Sequence, residues 1–157
     1  MNWSDYHPLP LSGAPSALPP RHHLTDVPWL AHERAYCQST SLQIFAEWRS
    51  CTQHRLDHVN WLMGFTYGAG HLKGTSIFLP YDDPESGLRF AAPGLGLTHR
   101  YFITDNETHY IDGIKAALVA GRPVRIMLDS ATLKGRHDYF SPHSVVLVGY
   151  DGDSAVR

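Results

Sequence analysis

Residues 142–153, PHSVVLVGYDGD, predict more about the fold than any other stretch of this sequence. The apolar residues that follow His143 occupy both sets of alternating positions. A strand that is apolar on both faces is buried on both, so we expect residues 143–150 to form a central strand of a sheet. The polar, glycine-containing turn at 151–153 then predicts a reversal into a returning strand that begins at 155–156.

A helix and a short strand are predicted just upstream. Residues 104–123, TDNETHYIDGIKAALVAGRP, offer Asp105 or Asn106 as an N-cap and apolar residues at three- and four-residue spacing. Glycine and proline at the end of this segment predict where the helix stops. The apolar run at 124–128 then indicates a buried strand that ends at Asp129.

Two more helices are predicted in the first half of the chain. One begins at Cys37 and ends near Ser50, and the second covers 56–63 before a glycine. Residues 64–74 hold four glycines in eleven positions, which favours a loop, and residues 77–90 are typical of a hairpin. Helical segments first and paired strands later predict an α+β domain.

Residues 1–28 have a different composition, since they hold six of the eleven prolines, interleaved with serine and glycine. We expect this part to be an extended arm without regular helix or strand, and residues 29–157 to form the domain.

Composition argues against several classes of protein. The formal charge is −2, only 18% of the residues are charged and no basic face is visible, so nucleic acid is not an expected partner. No apolar run is long enough to span a membrane, and the first residues lack the features of a signal peptide. The expected location is the cytoplasm.

The residues best placed for chemistry are Cys37 and His143. A helix N-terminus stabilises a thiolate and offers N–H groups that can hold an oxyanion, and Cys37 has that predicted placement. Of the eleven histidines, His143 is the one that begins this apolar strand. The end of the strand can reach a helix N-terminus, which is where a base for the cysteine has to lie. Each residue taken alone also fits a structural role, as a small buried side chain or a histidine at the core's edge. Cys51, at the other end of the helix, is expected to be a buried side chain.

No metal or other cofactor is predicted. His54 and His58 stand four positions apart on a predicted helix, which suits a metal, but no third ligand accompanies them. The glycine-rich residues 64–74 lack the lysine and serine that end a phosphate-binding loop.

The order of these motifs resembles a known superfamily. AYCQST at 35–40, followed by SPHSVVLVGYDGD at 141–153, is similar to the papain-like cysteine enzymes. More narrowly, CQSTSL, GFTYGAG, IDGIKAALVAGRPVRIMLD and PHSVVLVGYDGD resemble the family of the N-terminal domain of butirosin biosynthesis protein H. The bacteriocin-processing cysteine peptidases of ABC exporters share the last element. The resemblance implies a papain-like fold, in which the helix that begins with the cysteine packs on an antiparallel sheet that carries the histidine.

The same resemblance implies an acyltransferase. Cys37 would be the nucleophile that takes an acyl group from the thioester of an acyl carrier protein or another thioester donor, and His143 would be its base. A small-molecule or peptide amine would be the acceptor. A cysteine peptidase or amidase would use the same two residues and is the alternative enzyme.

Two positions depart from the superfamily pattern. The glutamine that usually completes the oxyanion hole, six residues before the cysteine, is Ala31 here, which leaves His32 or Gln38 as candidate donors. The residue that orients the histidine is expected on the returning strand, at a position beyond Arg157. Asp129 is the candidate substitute for this residue. Otherwise the third member of the catalytic triad lies beyond Arg157 or is absent. A catalytically inactive papain-like binding module is therefore the third hypothesis.

Overall fold

The structure is a computed structural model, and it describes residues 17–31, 36–50, 54–63, 91–98, 105–139, 141–152 and 154–156. Its elements in chain order are β1 (Arg21–His23), α1 (Cys37–Ser50), α2 (Leu56–Leu62), α3 (Glu107–Val119), β2 (Val124–Asp129), α4 (Ser130–Leu133), β3 (Pro142–Leu147), β4 (Gly149–Asp151) and β5 (Ser154–Val156). Helices and two small antiparallel sheets are combined, so the α+β prediction is confirmed.

The chain divides into two compact units. The first combines the described residues of 1–25, 100–124 and 146–157, and it contains β1, α3, β4 and β5. The second combines those of 26–99 and 125–145, and it contains α1, α2, α4 and most of β2 and β3.

In the first unit, β4 is the middle strand of a three-stranded sheet, between β1 and β5. Both pairings are antiparallel. The prediction that residues 1–28 contain no strand is wrong, because β1 lies within them. The physical reason is local: residues 21–27 contain no proline, so their N–H groups are free to bond, and Leu24 N donates to Val148 O at 2.8 Å.

The strand predicted over residues 143–150 is interrupted at Val148. Its first part, β3, pairs with β2, whereas its last part, β4, belongs to the three-stranded sheet. Gly149 marks the change, because a Cβ atom there would come within 2.5 Å of the carbonyl oxygen of His22. Only glycine permits that approach of β1. The predicted reversal into β5 is confirmed, and Tyr150 pairs with Ala155.

The ends of α3 agree with the predictions. Asn106 is the N-cap, and its side chain accepts a hydrogen bond from His109 N at 3.0 Å. Gly121 follows the helix with a φ of 73°, the left-handed conformation that ends many helices. The helix packs against β1 and β4 and buries Ala116, Ala117 and Leu118, while Ile111 and Ile114, two of its regularly spaced apolar residues, are half-buried.

The core of the second unit is formed by α1, α2 and the segment 91–95. The predicted ranges of the two helices are confirmed to within one residue. Its buried members are Leu42, Ala46, Val59, Met63, Ala91 and Leu95. A hydrogen bond of 2.6 Å from Gln43 Nε2 to the carbonyl oxygen of His54 joins α1 to the segment before α2. The predicted glycine-rich loop at 64–74, the hairpin at 77–90 and Cys51 lie outside the described residues.

Candidate functional site

Cys37 is the first residue of α1, as predicted, and it is a half-buried free thiol. Thr40 N donates to Tyr36 O at 2.9 Å, so helical hydrogen bonding starts immediately before the cysteine. The helix is fourteen residues long, and its macrodipole therefore places partial positive charge at this end.

The first turn of α1 is enclosed on every side. Residues 38–42 are all buried, and five consecutive residues at about 100° each cover the whole circumference of a helix. Four of the five are polar, which is costly unless each polar group finds a partner. Ser39 Oγ donates to Tyr36 O at 3.2 Å and Ser41 Oγ donates to Cys37 O at 2.6 Å.

Gln38 and Thr40 differ from these two serines. Neither Gln38 Oε1 nor Thr40 Oγ1 has a hydrogen-bond partner within the described residues, although both atoms are buried. The run QSTS at 38–41 predicts the start of a helix, and the structure shows in addition that it forms a buried polar turn. The signal available was four successive polar residues directly ahead of an apolar helical stripe.

A chain of hydrogen bonds joins this turn to β3. Arg125 Nε, on β2, donates to Ser144 Oγ at 2.8 Å, and Ser144 Oγ donates to Ser41 Oγ at 3.0 Å. Ser41 in turn donates to the carbonyl oxygen of Cys37. Because Ser144 follows His143 directly, these bonds limit the Cα separation of Cys37 and His143 to about 14 Å.

The directions of the Cys37 and His143 side chains limit how the two residues can come into contact. The Cα–Cβ bond of Cys37 tilts toward the N-terminal end of α1. Successive side chains of a strand leave on opposite faces, so His143 projects from the face of β3 opposite Ser144. His143 is half-buried and is the second residue of β3. The Cys37 sulfur can therefore touch the His143 imidazole only if both side chains reach beyond the ends of α1 and β3. That contact stays a prediction.

Asp129 organises the turn that leads into β3. Its side chain is the N-cap of α4, where it accepts hydrogen bonds from Ala131 N at 3.0 Å and from the Thr132 hydroxyl. It also accepts from Ser141 N at 2.9 Å, two residues before His143. The carboxylate therefore fixes the start of the strand that carries His143. Direct orientation of the imidazole by Asp129 stays a prediction.

Hydrogen bonds to the charged carboxylate lower the pKa of Asp129. The largest cause is the bond from the Thr132 hydroxyl, followed by the bond from Ser141 N. Ser130, beside Asp129, closes the same turn, since Ser130 N donates to Ser141 O at 2.8 Å.

Among the described residues, no group of three histidine, cysteine, aspartate or glutamate side chains is arranged to hold a metal ion. In the same part of the chain, no helix is long and apolar enough to cross a bilayer. Comparison of the chain with protein-family models, curated proteins and solved structures finds no match. The function is therefore inferred from the geometry of Cys37 and its surroundings.

We predict that Ser41 and Ser144 stabilise the second unit as a coupled pair. Ser144→Ala should lower the free energy of unfolding by about 1–3 kcal/mol, because it removes a buried hydroxyl that both accepts and donates. Combining it with Ser41→Ala should cost less than the sum of the single changes, with a coupling of at least about 0.5 kcal/mol in urea unfolding.

Ser39→Ala is the matched control for this cycle, since Ser39 is buried in the same turn and its hydroxyl donates to the Tyr36 carbonyl oxygen. Its effect should add to that of Ser144→Ala within about 0.5 kcal/mol. Additive effects of Ser41→Ala and Ser144→Ala would show that the observed bond does not couple helix and strand.

A second prediction concerns acid stability. Because the folded-state pKa of Asp129 is lowered, its carboxylate stabilises the fold above its unfolded pKa of about 4 and loses that contribution as the pH falls through the folded value. Asp129→Asn should therefore lose less thermal stability than the unchanged protein on acidification from about pH 6 to about pH 3.

Asp138→Asn serves as the control, because Asp138 lies in the same turn region but is exposed. It should retain the acid dependence of the unchanged protein. Melting curves with the same pH dependence for Asp129→Asn and the unchanged protein would contradict the role given to Asp129.

Proposed function

We propose that this chain is a papain-like thiol acyltransferase that acts in the biosynthesis of a small molecule or peptide. The observation that carries the proposal is the hydrogen-bonded connection from Ser144 through Ser41 to the carbonyl of Cys37. It ties the first residue of α1, whose thiol is half-buried, to the strand start that bears His143, within a Cα separation of about 14 Å. Cysteine enzymes bring a thiol, a base and N–H donors together, and a connection between α1 and the start of β3 supports such a grouping.

The reaction proceeds in two balanced steps. His143 takes the thiol proton, and the Cys37 sulfur attacks the carbonyl carbon of a thioester, for which an acyl carrier protein is the proposed donor. N–H groups at the start of α1 hold the oxyanion. The donor's C–S bond then breaks, and its thiol leaves with the proton from His143, so that the acyl group remains on Cys37.

An amine releases the acyl group in the second step. Its nitrogen attacks the acyl carbon, the bond to the Cys37 sulfur breaks and His143 passes a proton from the amine to that sulfur. The product is an amide, and the thiol is regenerated. A nucleophile that must remain a free thiol suits the cytoplasm, where we propose that the protein acts.

A catalytically inactive papain-like module is the second candidate. Two observations favour it: Ala31 stands where the superfamily has its oxyanion glutamine, and the Asp129 carboxylate accepts hydrogen bonds from its own turn. Loss of the orienting residue lowers the rate of such enzymes but need not remove the nucleophile.

Intact mass spectrometry separates these candidates. Incubation with an N-acetylcysteamine thioester should add one acyl group to the protein, and Cys37→Ala should abolish that adduct. His143→Ala should slow its formation by about 100-fold or more, because the thiol loses its base.

Cys51→Ala is the matched control and should acquire the adduct at the normal rate. An adduct that persists in Cys37→Ala would reject Cys37 as the nucleophile, and no adduct on the unchanged protein would favour the inactive module. Cleavage of peptides in place of thioester turnover would identify a peptidase that uses the same pair.

A further inference from the structure

Arg125 determines the direction in which the Ser144 hydroxyl donates its proton. The half-buried Arg125 lies on β2, and its Nε–H donates to Ser144 Oγ at 2.8 Å. Because a guanidinium can only donate, the Ser144 hydroxyl proton has to go to a different acceptor. That acceptor is Ser41 Oγ on α1, at 3.0 Å.

The direction set at Ser144 determines the direction at Ser41. The single hydroxyl proton of Ser41 can go to Ser144 Oγ or to a backbone carbonyl of the preceding helical turn. Since Ser144 donates to Ser41, the Ser41 proton goes to the carbonyl oxygen of Cys37, at 2.6 Å. A cationic donor on β2 thus decides whether the main chain of Cys37 receives this bond.

Loss of the Arg125 donor would free both hydroxyls. Ser144 Oγ could then accept the Ser41 proton, and the Cys37 carbonyl would lose its bond to that side chain. The bond that would be lost holds the residue that carries the thiol. Ser144, at the other end of the connection, directly follows His143 on β3.

We propose that Arg125 is a positioning residue of the acyltransfer. By fixing the direction of the two hydroxyls, it holds the Cys37 end of α1 to the start of β3, which carries His143. This assignment rests on the proposed acyltransfer. A small displacement between a nucleophile and its base lowers the rate of the chemical step, and the role requires no contact between Arg125 and the thioester.

Two variants of equal charge isolate the donor at Nε. In Arg125→Gln, Nε2 stands as many bonds from the backbone as the arginine Nε, so it can donate to Ser144 Oγ, whereas Arg125→Met places a methyl group there. Acylation of Cys37 by an N-acetylcysteamine thioester is followed by intact mass over a range of thioester concentrations. Rates are compared at a temperature at which melting curves show each variant to be folded.

Arg125→Met should lower the maximal acylation rate about tenfold and leave the half-saturating thioester concentration unchanged, because it displaces Cys37 without affecting a thioester contact. Arg125→Gln should acylate within about threefold of the normal rate, since a neutral donor forms a weaker bond but directs the hydroxyl in the same way. Met127→Leu is the matched control. It removes a second hydrogen bond of the guanidinium, from Nη2 to Met127 Sδ at 3.3 Å, and should leave the rate unchanged.

Ser41→Ala tests whether Arg125 acts through the serine hydroxyls. It should itself lower the maximal rate about tenfold, and adding Arg125→Met should cause little further loss, because both changes interrupt the same connection. Losses that multiply to about a hundredfold in the double variant would overturn the assignment, since Arg125 would then act independently of Ser41.

Equal maximal rates in Arg125→Gln and Arg125→Met would also overturn it, whether both rates are slow or both are normal. The proposed function would stand in that case, because the unchanged protein still forms the acyl-enzyme. An effect of Arg125→Met confined to the half-saturating concentration would assign Arg125 to thioester binding and overturn the positioning role. If the unchanged protein forms no acyl-enzyme, the proposed function is rejected and this assignment with it.

Discussion

The hydrogen-bond chain from Arg125 through Ser144 and Ser41 to the carbonyl of Cys37 is the constraint on which the functional interpretation depends. Its direction follows from chemistry, because a guanidinium only donates and the backbone carbonyl at the far end only accepts. Each serine hydroxyl between them accepts one bond and donates one. Two strands and the first turn of α1 are thereby held together by side chains that are distant in sequence.

Helix α1 combines two environments in fourteen residues. Leu42 and Ala46 belong to the apolar core, whereas the preceding turn buries a glutamine, two serines and a threonine. Burial of apolar surface stabilises the segment that contains Leu42 and Ala46. Burial of polar groups destabilises the first turn unless those groups are hydrogen-bonded. Within the described residues, Gln38 Oε1 and Thr40 Oγ1 of that turn lack a hydrogen-bond partner. Unsatisfied polar groups of this kind are typical of sites that trade stability for activity.

Local signals in the sequence predicted the helices well, since α1 and α3 begin and end where spacing, caps and Gly121 indicate. The break at Val148 depends on contacts across the fold that periodicity does not contain, namely the approach of β1 to Gly149. For the site, Cys37 could be placed from the sequence. The link between Ser41 and Ser144 could not, because it joins residues 103 positions apart.

The rate at which iodoacetamide alkylates Cys37 near pH 6, with and without His143, tests the central claim most directly. If the imidazole meets the sulfur and takes its proton, His143→Ala should slow alkylation by about 100-fold. Equal alkylation rates in the two proteins would show that the two side chains do not act together.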